Sequence, residues 1–169
     1  MFGAQKGGIQ CVQQFGNFGA PHGRLHVAGH SAGGHLTAMM LAAQWPRFAR
    51  DLPAKTVQGG LSVSGIFDVL PVMSTPSVNV DVRLDAAMAR RVSPGNMPPA
   101  TDAPLFLAAG GKEQQGFHEQ VALIKSKWGK VVAAEIPCPE DNHFTILERL
   151  ADPGSALFAG ALRMMGLAA

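Results

Sequence analysis

Gly29-His30-Ser31-Ala32-Gly33 restricts what this chain can fold into more than any other feature. It follows a short apolar run, Leu25-His26-Val27-Ala28, and precedes a segment of helical composition, residues 33–44, that stops before Pro46. A G-x-S-x-G element placed there describes a very tight strand-to-helix turn. The serine projects from its tip. Side chains two residues to either side would run into neighbouring backbone, which predicts glycine at both Gly29 and Gly33. The serine is expected in a strained conformation, at a cost of about 1–3 kcal/mol. The helix that starts there aims its first N–H groups toward any developing oxyanion, and the N–H of Ala32 is an expected donor. In a chain with 20 glycines the five-residue pattern means little alone; the strand before it and the helix after it give it meaning.

The rest of the chain alternates in the same way. Strands are expected over residues 25–28, 57–63, 105–109 and 131–136. Helices are expected over residues 4–15, 33–44 and 117–128, the last with Val121, Ile124 and Trp128 on one stripe. Residues 16–23 read as a Gly- and Pro-containing break. Residues 71–99 read as irregular and proline-rich, with one short helix over 82–91. Two further helices are expected around 144–150 and 156–165. Strands separated by helices mean βαβ units, so the fold class is α/β, with about four parallel strands and flanking helices. No linker interrupts the 169 residues, which read as one domain, 1–169. With 47% apolar and 15% charged residues, the chain has the material for a packed core.

Several function classes drop out. Fourteen Lys and Arg against 12 Asp and Glu give no basic field for a phosphate backbone, so no nucleic-acid partner is expected. Cys11 and Cys138 are far apart, which excludes a disulfide framework and a four-cysteine zinc site and suits free thiols in a reducing cytosol. No apolar run is long enough for a membrane span, and the first twenty residues lack a signal-peptide pattern, so a cytoplasmic protein without a membrane partner is expected. His26 and His30 are four apart but span a strand and a turn, so the helical ligand spacing does not apply and no metal is expected. Gly29, Gly33 and Gly34 do not form G-x-G-x-x-G, and no acidic residue ends the next strand, so no dinucleotide cofactor is expected. Met39, Met40, Met164 and Met165 read as core filler.

A serine nucleophile needs a base, and the base needs an orienting group. In this type of fold the chain order is Ser, acid, His. Only His118 and His143 come late enough. His143 follows the last strand in Pro139-Glu140-Asp141-Asn142-His143-Phe144, where a loop can hang it over the strand ends; His118 lies within the 117–128 helix, as a surface residue. Glu113 follows the third strand and is the expected acid. Asp68, after the second strand, is its rival; Asp102 precedes the third strand and belongs to the wrong end of the sheet. These residues describe a serine hydrolase acting on a small-molecule substrate: Ser31 as nucleophile, His143 as base and Glu113 as acid.

Arg24-Leu25-His26-Val27-Ala28-Gly29-His30-Ser31-Ala32-Gly33-Gly34-His35-Leu36 resembles the elbow of α/β-hydrolases of the kynurenine formamidase (arylformamidase) and small-carboxylesterase group. Ser64-Gly65-Ile66-Phe67-Asp68-Val69-Leu70-Pro71 is similar to that group's S-G-[LI]-[FY]-D segment. Ser93-Pro94, residues 104–111 and Asn142-His143-Phe144 match as well, so the resemblance runs from about residue 4 onward. It implies an α/β-hydrolase fold and cleavage of a small-acyl amide or ester, N-formylkynurenine first and a carboxylester as the alternative. It also implies Ser31, His143 and Glu113 in the roles above, Glu113 being a conservative departure from the family's usual Asp. Family members carry an H-G-G-x-[WYF] loop that supplies further oxyanion donors; none precedes Ser31 here. By this resemblance the chain is expected to be the C-terminal part of the fold, with an impaired site. Strand 25–28 is then an edge with unpaired backbone groups, and self-association through it is expected.

Overall fold

Four parallel strands form one sheet in the order β1-β2-β3-β4: Leu25–His30, Val57–Val63, Leu105–Gly110 and Val132–Cys138. The computed structural model describes residues 25–167. The helix expected over residues 4–15, the break at 16–23 and Cys11 lie outside the described residues. The five α-helices of the described residues are α1 (Ala32–Ala42), α2 (Pro76–Val82), α3 (Ala86–Arg91), α4 (Gln115–Trp128) and α5 (Ala156–Met164). The register is Val27↔Gly60 and His30↔Val63 between β1 and β2, Val63↔Ala108 between β2 and β3, and Gly110↔Cys138 between β3 and β4. It aligns the carboxyl ends of all four strands.

Each strand adds beside its predecessor. Right-handed crossovers taken always in one direction put the connecting helices on one face. Accordingly α1 and α4 share a core: Ala38 and Leu41 of the first and Val121, Ile124 and Trp128 of the second pack with Leu105 and Leu107. Among the described residues the chain reaches the opposite face only after β4. There Leu157 and Met164 of α5 cover Leu61, Val63, Phe106, Ala108 and Ile136. Residues 105–108 thus alternate between two cores, which is why β3 reads as an unbroken apolar run.

Residues 71–99 differ from the sequence expectation of one helix over 82–91. Two helices, α2 and α3, are separated by Arg83, whose φ of 53° is left-handed. Pro76 occupies the first turn of α2, where its missing N–H costs nothing. Asn79 closes the break: its Oδ1 accepts from the Leu84 N–H at 2.7 Å. Asp85 caps α3 by accepting from the Met88 N–H. The helix expected around 144–150 is a 3-10 segment, Thr145–Leu150. No helix among the described residues is long and apolar enough to cross a membrane.

Candidate active site

Ser31 lies between the last residue of β1 and the first of α1, with φ 57° and ψ −115°. Two backbone bonds enforce this unfavourable geometry: the Ser31 N–H donates to the Val63 carbonyl at 2.9 Å, and the His35 N–H donates to the Ser31 carbonyl at 3.0 Å. Ser31 stands at the helix N-cap, yet its hydroxyl caps nothing. It lies instead 3.2 Å from Nε2 of His143. The glycine argument holds at one end of the turn only. A Cβ at Gly29 would come within 2.2 Å of the Gly33 carbonyl oxygen. One at Gly33 would meet nothing within 4 Å, so sterics among the described residues do not require glycine there. Gly34 is the tighter position: a Cβ there would press on Gly65 and Ser62, where α1 approaches β2. Ala32 is exposed in the first helical turn, where its N–H has no acceptor within the helix.

The turns after β3 and β4 interlock. Gly111 N–H donates to the Cys138 carbonyl at 2.9 Å and Lys112 N–H to the Asp141 carbonyl at 3.0 Å. That carbonyl would lie 2.2 Å from any Cβ at Gly110, so the approach needs glycine. The buried Asp141 carboxylate accepts from Nε of Arg149 at 2.9 and 3.2 Å. Asn142 Oδ1 accepts from the N–H groups of Phe144 and Thr145, and Thr145 Oγ1 accepts from the Asn142 N–H, which fixes the backbone around His143. Glu113 accepts at Oε1 from the Gly110 N–H at 2.8 Å and the Ser64 hydroxyl at 2.5 Å, and its Oε2 lies 2.9 Å from Nδ1 of His143. A carboxylate that receives donors makes Nδ1 the proton-bearing nitrogen and leaves Nε2 free to accept from Ser31. The Glu113 side chain is 0% exposed and that of His143 22%, so the acid is sealed and the base reaches solvent.

The remaining candidates are placed elsewhere. Asp68 turns back on its own loop, its Oδ1 accepting from the Leu70 N–H at 3.0 Å. Gln120 of α4 pins that loop through the Phe67 and Asp68 N–H groups, both at 2.7 Å. Asp102 pairs with Lys55 at 2.8 Å near the opposite strand ends, and Lys55 holds its carboxyl below the usual carboxylate range. His118 is not brought to the site, but its neighbour Phe117 stacks on the His143 ring at 4.4 Å. His30, the first variable residue of the elbow, also lies 4.4 Å from that ring. Its Nε2 is buried without a partner among the described residues. Burial, and secondly the charge of His143, hold the His30 imidazole below its ordinary value. Cys138 is a buried thiol that burial pushes up. No group of three His, Cys, Asp or Glu among the described residues is arranged to hold a metal ion. The sequence assigns no role to Ser64, His30 or Phe117, because their roles lie in contacts between segments far apart in the chain; the one signal is Ser64 as the first residue of the S-G-[LI]-[FY]-D-like segment.

No protein-family model matches the chain. It is 30% identical over 168 residues to a kynurenine formamidase of Salmo salar and 29% identical over 167 residues to one of Danio rerio. Each match covers 94% of this chain and 54% of the relative, so the chain spans about half the length of these relatives. Among solved structures it is similar to a candidate thioesterase from Silicibacter sp. TM1040, with TM-score 0.67 and 34% identity over 78% of this chain and 48% of the other. It also matches an acetyl ester-xyloside bifunctional hydrolase from Caldicellulosiruptor lactoaceticus, with TM-score 0.65 and 18% identity over 96% of this chain and 64% of that one. The fold is that of the α/β-hydrolases.

Proposed function

We propose that this chain, a homologue of the kynurenine formamidases with an α/β-hydrolase fold, carries a serine hydrolase site for a small-acyl amide or ester. One observation carries the reading. Ser31 Oγ, His143 and Glu113 stand in a single line of contacts, 3.2 and 2.9 Å, built from three different strand ends. In this mechanism Ser31 attacks the carbonyl carbon while His143 Nε2 takes its proton. Glu113 keeps the ring in the required tautomer and stabilises the imidazolium. The Ala32 N–H, at the positive end of α1, donates to the oxyanion. His143 then returns the proton to the leaving group, and water releases the acid from Ser31. The two formamidase relatives make a formanilide of the N-formylkynurenine type the first substrate. Ester cleavage is the second reading; the candidate thioesterase it resembles is named for the related thioester bond, which the same acyl-serine chemistry would open. A fluorophosphonate probe should label Ser31 and leave Ser31→Ala unlabelled, and that substitution should lower kcat at least about 10³-fold on either substrate. Equal labelling of both proteins removes Ser31 from the chemistry.

A further inference from the structure

Among the described residues, three that are not glycine have positive φ: Ser31 at 57°, Arg83 at 53° and Ser64 at 49°. Arg83 closes α2 with a left-handed residue, a common way for helices to end. Ser31 is the elbow. Ser64 ends no helix and starts none. It follows β2, is fully buried, and its N–H donates to the Ala108 carbonyl at 2.7 Å. A conformation of this kind is strained for a side-chain-bearing residue, and glycine would remove the strain. What glycine would forfeit is the hydroxyl, which donates to Oε1 of Glu113 at 2.5 Å.

We propose that Ser64 is a positioning residue of this site: its hydroxyl, with the Gly110 N–H, anchors Oε1 of Glu113 so that Oε2 faces His143. The inference rests on the hydrolase reading above. A glutamate has three side-chain torsions, so one contact to His143 does not fix its carboxylate plane. Two donors on the other oxygen do. They also supply the hydrogen bonds that a wholly buried carboxylate requires. With Ser64 included, every strand end contributes: Ser31 after β1, Ser64 after β2, Glu113 after β3 and His143 after β4.

Ser64→Gly removes the hydroxyl and the backbone strain together, which separates positioning from mere folding. The lost donor to Glu113 and the relieved backbone oppose each other, so the expected result is a thermal unfolding midpoint close to that of the parent, with kcat lowered about tenfold, equivalent to about 1.4 kcal/mol. KM should stay within about twofold, as fits a group acting through the base. A second readout needs no turnover: the low-field proton NMR signal of His143 Nδ1–H, identified by its loss in His143→Gln. It should shift or broaden in Ser64→Gly. Arg83→Gly relieves a comparable backbone conformation on the surface and should change neither kcat nor the signal. An unmoved signal in Ser64→Gly overturns the positioning role, as does a kcat within about twofold of the parent. A parent protein that turns over neither substrate defeats the hydrolase reading instead, and the NMR signal still decides for or against Ser64.

Discussion

Among the described residues the two edges of the sheet are finished differently. β4 carries Glu135, paired with Lys125 at 2.5 Å, and Pro137, both exposed. A charge and a proline are what blunt an edge against further pairing. β1 reads Leu-His-Val-Ala-Gly-His, with neither feature, and Ala28 is exposed on it. The site spans both flanks. Its acid and base come from the turns after β3 and β4, which lock through Gly110, Gly111, Lys112 and Asp141 and are tied down by Arg149. Its nucleophile comes from the end of β1, held to β2 by the Ser31 N–H. The acid–base half is therefore locked by its own two turns with the Ser64 hydroxyl reaching in from the end of β2, and the nucleophile half depends on how β1 is kept in place.

The largest effect should come from breaking the acid–base half. Glu113→Gln keeps the shape but sets an amide N–H against one of the three donors around that carboxylate. It should lower kcat by about 10³–10⁴-fold, the scale seen when the orienting acid of a Ser-His-Asp triad is made an amide. Asp68→Asn should leave kcat within about twofold, because among the described residues the Asp68 carboxylate bonds the Leu70 N–H and the Ser93 hydroxyl and reaches none of Ser31, Glu113 and His143. Steady-state rates of the two variants decide this. Comparable losses would mean that the β2 loop, and not the β3–β4 interlock, orients the base.

This division was only partly legible in the sequence. The elbow, the four strands and the pairing of Glu113 with a late histidine follow from local pattern and chain order, since a parallel sheet gathers its strand ends at one edge. The break at Arg83 was not legible, because Asn79 makes it by folding back on Leu84, a contact that leaves no periodicity. Nor were Ser64 and His30. Ser64 stands in the segment that resembles the family's S-G-[LI]-[FY]-D, but its partner is 49 positions away, and His30 acts through a residue in the loop after β4; neither pairing leaves a mark in a local window. Gly33 shows the opposite error: the pattern demands a glycine that the surrounding atoms do not.

Among the described residues no strand pairs with the outer side of β1. A second copy that pairs there would make the mass seen by light scattering rise across a concentration series, which is the expected result. Two exposed alanines make the comparison direct: Ala28 on β1 and Ala133 on β4. Ala28→Lys should weaken association at least about tenfold, or about 1.4 kcal/mol, and Ala133→Lys should leave it unchanged. Equal effects would show that the two edges are equivalent in solution.

The smallest effect concerns the contact that joins the flanks. His30 of β1 lies against His143 of the β4 loop. Burial first, and the His143 charge second, hold His30 below its ordinary value of about 6.5. The lower value belongs to the folded state, so the unfolded chain takes up the proton first as pH falls. The stability that neutral His30 confers is complete above about pH 6.5 and is lost as pH falls from there through the lower folded value. Urea midpoints of the parent and His30→Gln, measured from about pH 8 to pH 5, isolate this group from the other histidines. The parent should lose stability relative to the variant just below pH 6.5, by a modest amount because the ring is only partly buried. A constant difference would show that His30 does not link the flanks through its proton. A parent that gains on the variant as pH falls would mean that the folded state prefers His30 charged. The hydrogen bond with the His143 backbone and, after it, the attraction of Glu113 already oppose the shift; together they would then outweigh burial, and β1 would be tied to the acid–base half through a charged His30.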